Sequence, residues 1–244
     1  PEPHLPGLLL TLLSCLGANI YIVGLNQLTD VEIDQINKPW LPLASGAWSR
    51  QTAIRIILIA VLLSLVLSLL VTRYLLITVL LSLLIGTLYS LPPVRLKRFH
   101  FWAAFSIIAV RGLIVNLLLF LNFHALINRS ADIPPVIWLL TASMFVYSII
   151  IAWFKDMPDL EGDNRYRIRT LSLELGRKKV LRLGSILISL NYLGLILAPF
   201  LLPVQVKTWF FAGAHLLLWL LFGRDTRRVD LENNALIKGY DQHS

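Results

Sequence analysis

Seven of the fourteen acidic residues fall in two short segments, Asp30-Val-Glu32-Ile-Asp34 and Asp156-Met-Pro-Asp159-Leu-Glu161-Gly-Asp163. They align at a constant offset, Asp30 with Asp159, Glu32 with Glu161 and Asp34 with Asp163, as a duplicated helical unit would. Asn26, Asp30 and Asp34 recur at every fourth position. On a continuous helix they share one face, spaced about 6 Å apart along the axis. Carboxylates crowded this way repel one another unless a cation lies between them. Magnesium takes oxygen ligands, typically a few carboxylates together with substrate phosphates. Two acidic faces around a basic loop therefore point to a metal-bridged diphosphate site. The plainer alternative is a solvated acidic loop balanced by neighbouring Lys and Arg, and the matching of two clusters argues against it.

The elements that must carry these residues are apolar helices. The chain has 244 residues, 57% of them hydrophobic and only 15% charged, with a mean hydropathy of +0.72. A soluble domain usually carries about a quarter charged residues. Uncharged runs at 8–25, 56–72, 74–94, 133–154 and 183–206 approach or reach the roughly 20 residues a helix needs to cross a bilayer. The expectation is an all-α, polytopic transmembrane bundle with seven spans, near 5–29, 52–72, 74–90, 101–123, 136–156, 183–203 and 208–223. Arg111 interrupts the fourth. Each acidic cluster follows an uncharged span. The match between the clusters also raises the possibility of two related halves whose acidic faces converge across a shared cavity.

Loop charge sets an orientation. Seventeen of the 22 Lys and Arg residues lie in the loop after the first span, the loop at 91–100, the segment 155–182 and the tail. Seven alternating spans put them all on one face, which the positive-inside rule makes cytoplasmic, or stromal in a plastid. The net charge of +8 thus belongs to interhelical loops beside lipid headgroups, so no nucleic-acid partner is expected. The single cysteine, Cys15, excludes a disulfide framework, and the five histidines show no metal-ligand spacing. No signal or transit segment is visible. A transporter or magnesium channel is the rival class, since carboxylates at a cavity mouth also suit ion conduction. It is disfavoured because the spans are mostly Leu and Ile at mid-membrane.

At these residues the sequence resembles the UbiA superfamily of intramembrane aromatic prenyltransferases, over essentially the whole chain. The resemblance rests on Asn26-x-x-x-Asp30-x-x-x-Asp34 and on the second cluster at 156–163. It implies nine helices, of which this chain would hold the second to eighth in a single prenyltransferase domain, 1–244. The run Asp34-Gln-Ile-Asn37-Lys38-Pro39-Trp-Leu-Pro42-Leu-Ala-Ser45-Gly46, with Arg111-Gly-Leu-Ile-Val-Asn116 and Lys155-Asp156-Met-Pro-Asp159, is similar to the homogentisate prenyltransferases of tocopherol and plastoquinone synthesis. Members that transfer phytyl are the nearest in wording. Solanesyl transfer to homogentisate and phytyl transfer to chlorophyllide are the alternatives within the class.

The resemblance implies Mg2+-dependent transfer of a prenyl chain from its diphosphate to homogentisate, with loss of the acetate-side carboxyl as carbon dioxide. Asn26, Asp30, Asp34, Asp156, Asp159 and Asp163 would hold the metal, and Arg95, Lys97, Arg98 and Lys155 would meet the diphosphate oxygens. Glu32 and Glu161 fall on other helical faces, and Pro158 ends or kinks its helix beside the second cluster. Several members carry Tyr-x-x-x-Lys in the loop after the fourth family helix, which corresponds to the third span here. Here Tyr89 is followed four residues later by Pro93, and the basic residues come later. Tyr21, Tyr147, Trp153 and Phe154 lie within reach of the clusters to face an allylic cation, or serve as ordinary interfacial aromatics. Arg111 is costly within a span and must face a cavity or a partner. It either binds the acceptor's carboxylate or a diphosphate oxygen, with Asn116 nearby, or pairs with a clustered carboxylate. Asn19 and Asn191 are expected to make interhelical hydrogen bonds.

Overall fold

A computed structural model describes residues 5–127, 132–154, 157 and 171–226. All regular structure among them is helical. In chain order the elements are α1 (Leu5–Thr29), α2 (Val31–Asn37), α3 (Arg50–Leu69), α4 (Arg73–Ser90), a 3₁₀ turn (Leu96–Arg98), α5 (His100–Ile107), a π-helical segment (Ile108–Ile114), α6 (Val115–Ile127), α7 (Pro135–Phe154), α8 (Leu171–Leu175), α9 (Arg177–Leu201) and α10 (Thr208–Thr226).

Among the described residues, six helices are long and apolar enough to cross a membrane: α1, α3, α4, the composite Phe101–Ile127, α7 and α9. The chain is an integral membrane protein. Leu, Ile, Val and Phe side chains stand exposed along every one of these helices, as expected where lipid rather than water is the solvent. The seventh expected span is present as α10 but is not among the six. His215, Arg224 and Asp225 dilute its apolar content.

Without a hydrophobic force between helices in lipid, small residues and hydrogen bonds must hold the bundle together. The closest pairing is α1 on α3. Ser14 Oγ donates to the Ser64 carbonyl at 2.8 Å, and Ser64 Oγ donates back to the Ser14 carbonyl at 2.7 Å. A Cβ on Gly17 would lie 2.7 Å from the Ala60 carbonyl oxygen, so only glycine admits this approach. Helix α4 packs alongside through Leu75, Val79 and Leu83 against Ala18. At the end away from Asp30, the fully buried Asn122 of α6 accepts from Thr72 at 2.7 Å and donates to Thr11 of α1 at 3.1 Å. Thr72 also caps α4 by accepting from Leu75 N at 3.2 Å. Asn191 of α9 donates to Ser143 Oγ of α7 at 3.0 Å, the interhelical role its sequence position suggested.

Two departures from straight helices bear on the chemistry. The helix carrying the first acidic cluster is not continuous. α1 ends at Thr29, Asp30 takes φ −120° and ψ 15°, and α2 begins at Val31. Asp30 makes no capping hydrogen bond to α2, because its carboxylate is engaged by Arg95 and Lys97. The helix breaks where the ion pairs form, and Asp30 lines one cavity while Asn26 and Asp34 line another, in place of the single face expected of an unbroken helix. The second departure is the π segment in the span that Arg111 interrupts. Its closing hydrogen bond runs from Val115 N to the Val110 carbonyl.

Candidate active site

The site builds outward from Asp30, which sits at the break between α1 and α2 with its side chain almost buried. Arg95 donates to Asp30 Oδ1 at 2.7 Å, and Lys97 donates to Asp30 Oδ2. The Lys97 ammonium also donates to Asn26 Oδ1 at 2.9 Å and Thr29 Oγ1 at 3.0 Å. Both cations come from the loop between α4 and α5. Arg95 lies there at φ 39°, a left-handed conformation uncommon outside glycine, ahead of the 3₁₀ turn that carries Lys97. Lys97 is 9% exposed. Burial lowers its pKa below the ordinary lysine value, against the opposing pull of Asp30.

Asp30 borders a cavity of about 390 Å³, also lined by Thr29, Glu32, Arg50, Arg95 and Arg98. Three arginines line this one opening, and guanidinium groups present forked donors of a geometry that matches phosphate oxygens. A second cavity of about 380 Å³ lies between α1, α4 and the π segment. Its walls are largely apolar, with Ile22, Val23, Ile85, Ile107 and Val110, and its polar groups include Asn26, Asp34, Lys38, Tyr89 and Arg111. Asn26 thus lines the second cavity while bonded to the lysine that holds Asp30.

Among the sequence-predicted residues, the structure brings Asn26, Asp30, Arg95 and Lys97 into direct contact and places Arg98 on the same cavity. Asp34, 8% exposed, joins Arg111 on the other cavity. Asn116 faces its own helix. Its Nδ2 donates to the Arg111 carbonyl at 2.6 Å and the Gly112 carbonyl at 3.2 Å, satisfying acceptors in the π segment. Gly112 lets that segment approach α7, because its Cβ would lie 3.1 Å from Phe145 Cα. Tyr21 lines neither cavity, and its hydroxyl is hydrogen-bonded with Thr87 Oγ1 of α4 at 2.7 Å. Tyr147 of α7 stands edge-on to Tyr192 of α9, with ring centroids 6.4 Å apart. Trp153 lies half-buried in the last turn of α7. Lys155, Asp156, Asp159 and Asp163 lie outside the described residues, as do Pro158 and Glu161.

Two contributors were not singled out from sequence, Thr29 and Arg50. Thr29 directly precedes Asp30, and a hydroxyl beside an acidic cluster is too common a feature to stand out. Arg50 counted only as a loop charge. Among the described residues, no three His, Cys, Asp or Glu side chains converge as a metal site. The oxygens around Lys97 are nevertheless hard donors of the kind magnesium takes, so the residues present fit such an ion.

The comparisons with known proteins follow this geometry. Residues 1–238 match the UbiA prenyltransferase family, and the chain belongs to it. It is 43% identical over 230 residues to the homogentisate phytyltransferase of Synechocystis sp., covering 94% of this chain and 75% of that protein. It is 38% identical to homogentisate phytyltransferase 1 of Arabidopsis thaliana and 39% identical to the homogentisate solanesyltransferase of the same plant. Those matches cover 95% and 85% of this chain but only 60% and 54% of the plant proteins. The fold matches a UbiA homologue from Archaeoglobus fulgidus bound to DMAPP and Mg2+ at a TM-score of 0.72 and 17% identity, across 98% of this chain and 86% of that one.

Proposed function

We propose that this protein transfers a prenyl group, phytyl, from its diphosphate to homogentisate. The allylic C–O bond breaks to release diphosphate, a C–C bond to the aromatic ring forms as that ring carbon gives up its proton, and the acetate carboxyl departs as carbon dioxide while its CH2 takes up a proton to become methyl. The observation that carries this reading is a cation-bound oxygen cluster at Asp30 beside an apolar cavity lined by Arg111. The similarity to homogentisate prenyltransferases supports the choice of acceptor and donor.

Asn26, Asp30 and Asp34 would hold Mg2+ together with Asp156, Asp159 and Asp163. Bound there, the ion supplies positive charge that stabilises the departing diphosphate. The chain's own side chains account for the rest. Arg95 and Arg98, with Lys155 from the second segment, meet diphosphate oxygens through charge-assisted hydrogen bonds. Ile22, Val23, Ile85 and Ile107 keep water from the allylic carbon while its positive charge develops. Arg111 orients the acceptor through its carboxylate. The acidic clusters face the cytoplasm or stroma, where loop charge directs them.

The test is an assay of the full-length membrane protein with Mg2+, homogentisate and a panel of phytyl, geranylgeranyl and solanesyl diphosphates. Product is identified by mass. The expected result is a decarboxylated phytyl product that disappears without Mg2+ and falls by about a thousandfold or more in Asp30→Ala, the scale of losing a central electrostatic group. Folded protein that yields no homogentisate product with any donor would overturn the acceptor. A larger product with solanesyl diphosphate alone would reassign the donor.

A further inference from the structure

Lys97 fills its hydrogen-bonding capacity inside the oxygen cluster. An ammonium has three donors and no acceptor, and here the three oxygens are Asn26 Oδ1, Thr29 Oγ1 and Asp30 Oδ2. All three come from one turn of chain, and the lysine that meets them is almost wholly buried. These are hard oxygen donors, the same chemistry a divalent cation selects. The ammonium already sits on all three of these oxygens, so a divalent ion that takes them must displace it.

Resting on the reading that Asn26 and Asp30 are metal ligands, we infer that Lys97 is a resident cation which holds the oxygen cluster in the metal-free protein and gives it up to a divalent ion, so that metal binding frees its ammonium to meet the diphosphate. The other oxygen of Asp30 stays paired with Arg95, so the carboxylate keeps its orientation when Lys97 leaves. Lys97 is suited to leave. Its charge sits on a flexible four-carbon stem, and the stem rises from a three-residue 3₁₀ turn that follows the left-handed Arg95. Backbone in a sparsely populated region stores strain of the kind found in elements with two arrangements.

The experiment measures Mn2+ binding to the purified full chain by electron paramagnetic resonance, with no prenyl diphosphate present. Wild type is compared with Lys97→Met and Asp30→Asn. Asp30→Asn is expected to weaken binding about tenfold or more, and Lys97→Met to tighten it by about fivefold or more, because the metal no longer displaces an ammonium. Wild-type affinity in Asp30→Asn would overturn the metal site itself. Loss in Asp30→Asn with unchanged or weaker binding in Lys97→Met would overturn the displacement while leaving the site intact. A second measurement uses wild type alone and does not depend on the variant folding. Amine acylation is read by mass spectrometry, with the exposed Lys207 as internal reference. Saturating Mn2+ is expected to raise Lys97 modification relative to Lys207, and an unchanged or lower yield would overturn the proposal.

Discussion

Arg111 illustrates how far a single residue can be read. Its cost within an apolar span marks it as facing a cavity or a partner, and the structure places it on the apolar cavity that Asp34 and Tyr89 also line. Residue spacing alone did not reveal that Asp30 and Asp34 border different cavities. That division depends on the break at Asp30, which depends in turn on two cations more than sixty residues away in sequence. Likewise, Tyr89 lacks a lysine four residues on, yet Lys97 reaches the cluster from further along the loop. Sequence supplied the right charges in the right loop, and only the loop's path decides which of them arrives. For Arg111, a hydrogen-bonded pair with a carboxylate contributes about 1.5–3 kcal/mol. Arg111→Leu should therefore raise the KM for homogentisate by about tenfold or more, with the KM for the prenyl diphosphate little changed. Steady-state kinetics varying each substrate in turn checks this, and a matching rise for the prenyl diphosphate would place Arg111 on the donor instead.

At the scale of elements, the helices were legible because hydrophobic runs and charge interruptions set their ends. The contacts between helices were not, because small polar residues on a uniformly apolar helix give no periodic signal. Ser14, Gly17 and Ser64 form a tight seam, and one turn away on α1 Asn122 ties three elements together through Thr11 and Thr72, though none of them stands out in sequence. Gly17→Ala should lower the unfolding temperature in detergent, since its Cβ would meet backbone at 2.7 Å and the helices must part. The cost is about 1–3 kcal/mol, the usual range for overpacking, and a thermal melt followed by circular dichroism measures it. The π segment behaves differently. Asn116 donates to the Arg111 and Gly112 carbonyls of that segment, so Asn116→Leu should disturb the carrier of Arg111 more than the bundle. The expected signature is a higher KM for homogentisate at nearly unchanged melting temperature. A fall in melting temperature as large as that of Gly17→Ala would make Asn116 a packing residue only.

At the scale of the whole molecule, the open question of α10 can be argued from its neighbour. Composition leaves this helix less apolar than the other six, but its 19 residues span about 28 Å at 1.5 Å per residue, close to a bilayer core of about 30 Å. It also lies along α9, where Trp219 Nε1 donates to Ser189 Oγ at 3.0 Å, joining the second half of α10 to the middle of α9. Two helices side by side over their middles, joined by a short turn, form an antiparallel hairpin, and the expectation is that α10 returns through the membrane that α9 crosses. That arrangement predicts Arg224, at the end of α10, on the membrane face that carries Asp30. The single native cysteine allows a clean test in a Cys15→Ser background. Single substitutions Ser45→Cys in the loop after α2, Lys207→Cys before α10 and Arg224→Cys near its end are labelled with a membrane-impermeant maleimide in sealed, oriented vesicles. Ser45→Cys and Arg224→Cys should react from the cytoplasmic face and Lys207→Cys only from the other. If Arg224→Cys reacts from the same face as Lys207→Cys instead, α10 does not cross the membrane.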